Sequence, residues 1–400
     1  LNKLIITKRE QQYLTVLMSE KEVLEMQLED DSMVLGNIYI GKVKNVVKNI
    51  NAAFIDYQDG KTGYYSLSDN PEPLFINRTS GTIKAGDEVI VQIEKDAVKT
   101  KDPVLSSNLN FSGKYAVLTS GKRMISFSSK IHDTEWKEQL RLELEPLLND
   151  RAGVIIRTNA YTADIVQIKT EITRLCDSCQ KLLHDAAFRT CYSLLYEANT
   201  GYLNMLKGCR DGMLEQIITD QPEVYETCRD YLSLYQPDDL ARLQLYKDSQ
   251  ISLTSLYSIE TIFKEALQKR VWLKSGGYLV IEQTEAMVVI DVNTGKYSKK
   301  KTLQETILLI NQEAAKEICH QLRLRNLSGI ILVDFIDMKS EEDKLLLMKT
   351  LKHYAALDPV KTMVVDMTAL NLVEMTRKKG RRPLAEQVSQ FHHNNRGEGE

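Results

Sequence analysis

"AMVVIDVNTGKYSKKKTLQETILLINQEAAKEICHQLRLRNLSGIILVDFIDM" (residues 286–338) decides the fold. Its first apolar run climbs to Asp291, passes Asn293 and Gly295, and enters the lysines Lys296, Lys299, Lys300 and Lys301. Thr302 and Glu305 then make a capping-box signature. Leu303, Ile307, Ile310, Ala314, Ile318 and Leu322 fall on one face of a helix. Asn326 and Gly329 offer stops, and "GIILVDFIDM" (329–338) reads as a buried strand. Upstream, "GYLVIEQTEAMVVIDV" (277–292) reads as a hairpin. Downstream, a helix at 341–356 and a strand at "KTMVVDMT" (361–368) follow. This β-α-β-α-β order predicts an α/β sheet.

Asp291 and Asp334 each end a strongly apolar strand. Strands joined by a crossover helix usually lie close in one sheet, and ligands sit at the carboxyl ends of such strands. Two readings stand on the residues alone. Each Asp caps its following turn, or the two share a divalent cation of the Mg²⁺ type, which takes one or two carboxylates plus water and phosphate. A calcium loop fails: Gly295 falls at loop position 5 and Thr302 where a bidentate Glu is needed. Asn293 lies two residues along the same strand face, placed to orient Asp291 or a phosphate. Asp337 would face the other side from Asp334 if both were on the strand. The lysines after Asn293 and the cluster "RKKGRR" (Arg377, Lys378, Lys379, Arg381, Arg382) suit a polyphosphate backbone, although basic runs are usually just solvated.

Elsewhere the chain changes character. "GNIYIGKVKNVVKNINAAFIDYQDGKTGYYSLSD" (36–69) and "VIVQIEKD" (89–96) are short β-branched and aromatic runs broken by turn residues, the pattern of a small β-barrel. "FSGKYAVLTSGKRMISFSSKI" (111–131) reads as a hairpin. It precedes an amphipathic helix capped by Asp133 or Thr134. "AGVIIRTNA" (152–160) reads as a buried strand ending on Arg157 and Thr158, and 163–195 as helix. Residues 1–33 look incomplete as a domain, and 201–270 mix short helices and strands. The tail "HHNNRGEGE" is polar. Forty-three per cent hydrophobic and 27% charged residues over 400 positions are ample for a globular core. The net charge of −3 gives no global sign of a nucleic-acid binder, although the part from Gln268 onward is mildly basic. Six scattered cysteines exclude a disulfide framework, and "CDSC" (176–179) alone is short of a zinc site. No apolar run reaches membrane-spanning length, so no membrane partner is expected. No signal-type apolar core opens the sequence, and a cytoplasmic location is expected.

Taken together, "DVN", "EAAKEI.HQLRLRNLSG" and "DFIDM", ending at "LVEMTRKK", resemble the ribonuclease E/G family of endoribonucleases, in its short, ribonuclease G-like form. The resemblance covers nearly the whole chain. It implies a multi-subdomain α/β fold. Residues 34–108 would be an S1 (OB-type) barrel inserted in an RNase H-like subdomain made of 1–33 and 203–267. A 5′-sensor subdomain would follow at 109–202, a DNase I-like catalytic subdomain at 268–385, and a polar tail at 386–400.

The resemblance also implies roles. Asp291 and Asp334 match the Mg²⁺-holding carboxylates, and Asn293 the supporting amide. Arg157 and Thr158 match the pair that binds a 5′-monophosphate, with Gly113 and Val117 beside them. Phe54 and Tyr64 match base-stacking aromatics, and Lys101 a basic RNA contact. Lys296, Arg377 and Lys378 are expected to face RNA, and Asp337 and Lys361 to support the site. The implied activity is Mg²⁺-dependent cleavage of single-stranded, AU-rich RNA, in rRNA and tRNA processing and mRNA decay. A 5′-monophosphate would stimulate it, and the products would carry 5′-phosphate and 3′-hydroxyl ends. Two departures stand out. Lys361 replaces an expected Arg. No Cys-Pro-x-Cys follows "EMTRK" within the sequence, so the zinc that links family subunits is not among the expected cofactors, and homodimer or homotetramer remain open. The alternative is an RNA-binding, ribosome-associated protein with a degenerate catalytic subdomain.

Overall fold

The structure is a computed structural model describing residues 2–20, 22–29, 35–78, 80–95, 102–199, 201–295 and 303–388. Two compact units emerge. One combines Leu1–Asp30, Leu214–Asp230 and Leu240–Glu400; the other combines Asp31–Met213 and Tyr231–Asp239. Thr302 of the expected capping box, Lys101, Lys296 and the other lysines up to Lys301 lie outside the described residues.

In the first unit a six-stranded sheet runs in the order Arg270–Trp272, Tyr278–Gln283, Met287–Asn293, Gly329–Asp334, Leu372–Arg377, Thr362–Met367. The first pairings are antiparallel hairpins. Met287–Asn293 and Gly329–Asp334 are parallel, joined through the helix Leu303–Leu324. That helix ends before Asn326, which takes the left-handed conformation (φ 51°) expected of a stop. The helix Glu341–Ala356 starts at Ser340, whose hydroxyl accepts from the Asp343 amide.

Both strands of the parallel pair bury only one face, which corrects the expectation of a wholly buried strand at 329–338. Val288, Ile290, Val292, Ile331 and Val333 are buried, whereas Val289, Asp291, Ile330 and Asp334 are exposed. The buried set packs against Ile310, Ala314, Ile318 and Leu322 of one helix and Leu347 and Leu351 of the other. Each such side chain is worth about 1.5–3 kcal/mol of burial, so the register of this face is firmly held while the opposite face is left for function. The strand also stops at Asp334, leaving Asp337 in the following loop. The strand Leu372–Arg377 went unread in the sequence, yet it lies between the two strands Gly329–Asp334 and Thr362–Met367.

A second sheet in this unit has the order Leu243–Leu245, Leu214–Thr219, Asn2–Arg9, Gln12–Met18, Val23–Glu29. Asn2–Arg9 pairs in parallel with Leu214–Thr219.

The other unit contains a closed five-stranded barrel, Ile38–Val47, Ala52–Gln58, Lys61–Ser66, Val104–Ser106 and Glu88–Lys95, the last pairing back to the first. This is consistent with an OB fold. Val43, Ile55, Tyr65, Val89, Val91 and Leu105 fill it. Beside it, a four-stranded sheet has the order Asn110–Ser112, Ala116–Ser120, Ala152–Ile156, Met124–Phe127. The hairpin expected across 111–131 therefore forms one turn early. Ala116–Ser120 and Met124–Phe127 do not pair with each other; both flank Ala152–Ile156. The helix expected over 163–195 spans Ile165–Ala186, and Leu194–Tyr196 joins the barrel edge as a strand. All six cysteines are free, and Cys176 and Cys179 are buried with the core.

Candidate active site

Asp291 and Asp334 are register partners at the C-terminal ends of adjacent parallel strands. Register partners point to the same face, so both carboxylates stand on the open side of the sheet. Asn293 Nδ2 donates to Asp291 Oδ2 at 2.7 Å. Gly295 follows with φ 59°, and a side chain there would run into the Gly276 carbonyl; the turn that ends this strand therefore needs glycine. Asp337, in the loop, accepts from Asn371 Nδ2 at 3.3 Å. Partial burial raises the Asp334 carboxyl pKa, and the negative charges of Asp291 and Asp337 raise it further. Asp337, beyond the end of the strand, is thus near enough for its charge to act on Asp334.

No described cationic side chain forms an ion pair with any of these three carboxylates. Like charges gathered without a counter-ion fit a bound cation. Among the described residues no three His, Cys, Asp or Glu converge to enclose a metal. Two carboxylates and an amide instead suit Mg²⁺, which keeps water and phosphate oxygens in its shell.

The second basic cluster is not beside this pair. Arg377 pairs with Gly329, whereas Leu372 pairs with Asp334; five residues of strand put Arg377 roughly 17 Å away along the strand. Arg377 is also 3% exposed. Its Nε donates to Asp358 Oδ2 at 2.7 Å, and its Nη1 to Asn326 Oδ1 at 2.8 Å. The expected RNA contact is instead an internal strut, because an arginine ending an inward-facing row must bury its fork against a carboxylate. Exposed Lys361 and Lys378 share that distant end, the Lys378 amide donating to the Lys361 carbonyl. Lys361 therefore gives no direct support to the carboxylates.

In the other unit the four-stranded sheet gathers the expected sensor residues. Arg157 and Thr158 follow the strand that pairs with Ala116–Ser120, which carries Val117, and Gly113 forms the turn before it. The Thr158 hydroxyl lies 2.9 Å from that of Ser128. Sequence reasoning missed two residues here. Glu171, on the long helix, accepts from the amides of Lys114 (2.8 Å), Tyr115 (2.8 Å) and Ala116 (3.0 Å). A Cβ at Gly113 would collide with that carboxylate, so Gly113 is what admits it. Lys207 is 5% exposed, and its Nζ donates to the Ser112 carbonyl at 3.1 Å. Burial pushes the Lys207 ammonium pKa down to about 8, Glu171 opposing and Arg157 adding to the drop. Burial also lowers Arg157, with Glu171 opposing. No spacing in the sequence announces either residue; only the packing of helix on sheet brings them in.

On the barrel, Phe54 and Tyr64 are directly cross-strand, with ring centroids 6.1 Å apart in an edge-on arrangement. Both are half-buried while Ala53, Ile55 and Tyr65 point inward. They form an aromatic pair on the outer wall, a surface on which bases can stack.

Paired carboxylates at the carboxyl ends of neighbouring parallel strands mark the ligand end of an α/β sheet, and the class so defined is an α/β enzyme. The model of the ribonuclease E/G family matches residues 110–380. Ribonuclease G of Escherichia coli K12 is 32% identical over 359 residues, covering 87% of this chain and 73% of that one. Ribonuclease G of Haemophilus influenzae is 32% identical over 362 residues, 88% and 74% of the two chains. Ribonuclease E of Synechocystis is 31% identical over 366 residues, 90% of this chain but 54% of that one. The chain belongs to the ribonuclease E/G family.

Proposed function

We propose that this protein is a Mg²⁺-dependent endoribonuclease of single-stranded, AU-rich RNA that leaves 5′-phosphate and 3′-hydroxyl ends and is stimulated by a 5′-monophosphate. The observation that carries the reading is the shared register of Asp291 and Asp334, with Asn293 bonded to Asp291. Asp291 and Asp334 would hold the ion, which supplies Lewis acidity at the scissile phosphate. Asn293 fixes the Asp291 carboxylate rotamer, so less reorganisation is needed when substrate arrives. Asp337 adds negative charge near Asp334, which raises the Asp334 pKa and would also draw a cation to the pair. The open sheet face admits a strand of RNA to these groups. Arg157 would take the terminal phosphate through its planar fork, with Thr158 donating a hydroxyl. Phe54 and Tyr64 would stack bases with little sequence preference.

The test uses a 5′-monophosphorylated AU-rich oligonucleotide with Mg²⁺, cut by wild type, Asp291→Asn and Asp334→Asn proteins. Cleavage by wild type alone is expected. Equal cleavage by all three would reject the metal assignment. Tight binding without cleavage by wild type would favour an RNA-binding protein with a silent catalytic sheet.

A further inference from the structure

The edge of the catalytic sheet carries a second feature on the same open face. Trp272 is 65% exposed, unusual for so large an apolar ring. Its indole lies 5.3 Å from the Tyr278 ring, centroid to centroid. The Arg270 guanidinium stands 4.6 Å from the Tyr278 ring centroid and 5.8 Å from that of Trp272. Among the described residues no carboxylate pairs with Arg270. Its positive charge therefore rests against rings and remains available to an anion.

Register ties this trio to the carboxylates. Trp272 pairs with Tyr278 and Tyr278 with Asn293; Arg270 pairs with Val280 and Val280 with Asp291. Directly paired residues share a face, so Trp272, Tyr278 and Arg270 all stand on the side of Asp291 and Asp334. Two strand spacings separate Arg270 from Asp291, about 10 Å. An aromatic platform with an unpaired guanidinium at that distance matches the alternation of base and phosphate in a single strand. A purely apolar patch would suit another protein surface equally; the cation held against the rings favours a polyanion with flat bases.

We propose that Trp272 and Tyr278, with Arg270 against them, form a base-stacking subsite for the RNA strand flanking the phosphate at Asp291 and Asp334. The subsite rests on the endoribonuclease reading and deepens it. Trp272 takes the base face, Tyr278 backs the platform, and Arg270 meets the intervening phosphate. The subsite tolerates any base, because every base has a π-face.

The experiment is a cycle between enzyme and substrate. Wild type and Trp272→Ala proteins each cleave an intact oligonucleotide and a series with a single abasic residue at successive positions around the cut. Trp272 is exposed, so its removal leaves no cavity. Trp272→Ala is expected to lower kcat/KM about tenfold, carried mainly by KM. One abasic position should lower it similarly for wild type and have little further effect on the variant; Trp272→Phe should recover most of the loss. Additive losses, or an unchanged KM, overturn the subsite. So does a changed sedimentation coefficient in Trp272→Ala without a change in KM, which would make the patch an interface between copies. If wild type cuts nothing, the endoribonuclease reading fails separately, and binding still tests the subsite. The sequence has two tryptophans, Trp136 and Trp272. In a Trp136→Phe protein, quenching of Trp272 by the intact oligonucleotide, lost at one abasic position, supports stacking; no quenching overturns it.

Discussion

The six-stranded sheet that carries Asp291 and Asp334 and the four-stranded sheet that leads to Arg157 handle charge in opposite ways. On the six-stranded sheet, Asp291, Asp334 and Asp337 bring like charges together at the surface with no cationic partner among the described residues. Beside the four-stranded sheet Lys207 is buried and Arg157 half-buried, and the carboxylate whose field both feel is Glu171. That carboxylate already spends its oxygens on three backbone amides. The first arrangement lacks a cation and the second has cations to spare. The proposed function would use both: a metal to act on one phosphate and positive charge to hold another.

The strongest way to break this contrast is at the carboxylate pair. Asp334→Asn should lower kcat/KM at least about a hundredfold, since even outer-shell changes at metal sites cost 10–100-fold. Its melting temperature should hold or rise, because folding raises the Asp334 pKa and so penalises its charged form. Removing Mg²⁺ with chelator should abolish cleavage by wild type. Adding it back should raise the wild-type melting temperature but not that of Asp291→Asn. A variant that melts early would mean the carboxylates hold the fold instead.

Glu171→Gln makes the opposite prediction. It should cost about 3 kcal/mol, the scale for stranding a buried charge, read as a lower melting midpoint by circular dichroism. Cleavage at saturating substrate should suffer far less than in Asp334→Asn. An unchanged midpoint would show that the amides of Lys114, Tyr115 and Ala116, rather than Arg157 and Lys207, justify the carboxylate.

The same contrast explains what could be read in advance. The six-stranded sheet was legible because its pattern is periodic: apolar runs ending in Asp291 and Asp334, separated by one amphipathic helix, fix the elements and bring the two carboxylates into register. Even there the open face was missed, because Ile330 and Val289 look like core and nothing in the sequence says that both helices pack on one side. Arg377 was misjudged for a related reason. In "RKKGRR" it looks like one more surface cation, but strand alternation turns it inward to Asp358. The barrel's strands were legible from turn residues, whereas Glu171 and Lys207 were not. Their roles depend on a helix crossing a sheet, and no local spacing records that contact. Trp272 was invisible as a site because a lone aromatic on a short edge strand reads as core until register places it on the face of Asn293, one strand removed.

Arg157→Ala sharpens the sensor side. The ratio of cleavage for 5′-monophosphate over 5′-hydroxyl substrates should fall about ten- to a hundredfold, the loss of charge-assisted bonds of about 1.5–3 kcal/mol. Stability should hold, since burial already lowers the Arg157 pKa and removing the guanidinium removes that penalty. Thr158→Val should cost less, because its hydroxyl is already shared with Ser128. An unchanged ratio in Arg157→Ala would move the sensor elsewhere.

The smallest effect expected is a pH dependence from Lys207. The unfolded chain keeps this proton up to about 10.5, the folded chain only to about 8. Between those values the folded state binds fewer protons, so the contribution of Lys207 to stability is least favourable below about 8 and rises as pH increases toward 10.5. The sensor moves the other way: neutral Lys207 adds no charge, so monophosphate preference should weaken by a few-fold as pH passes about 8. Burial does most to drive the proton off; Glu171 opposes it and Arg157 adds to it. Lys207→Met should flatten both curves, giving a monophosphate ratio independent of pH between 7 and about 9.5. A wild-type ratio that is already flat would leave Arg157 alone as the sensing charge and reduce Lys207 to a buried strut on the Ser112 carbonyl.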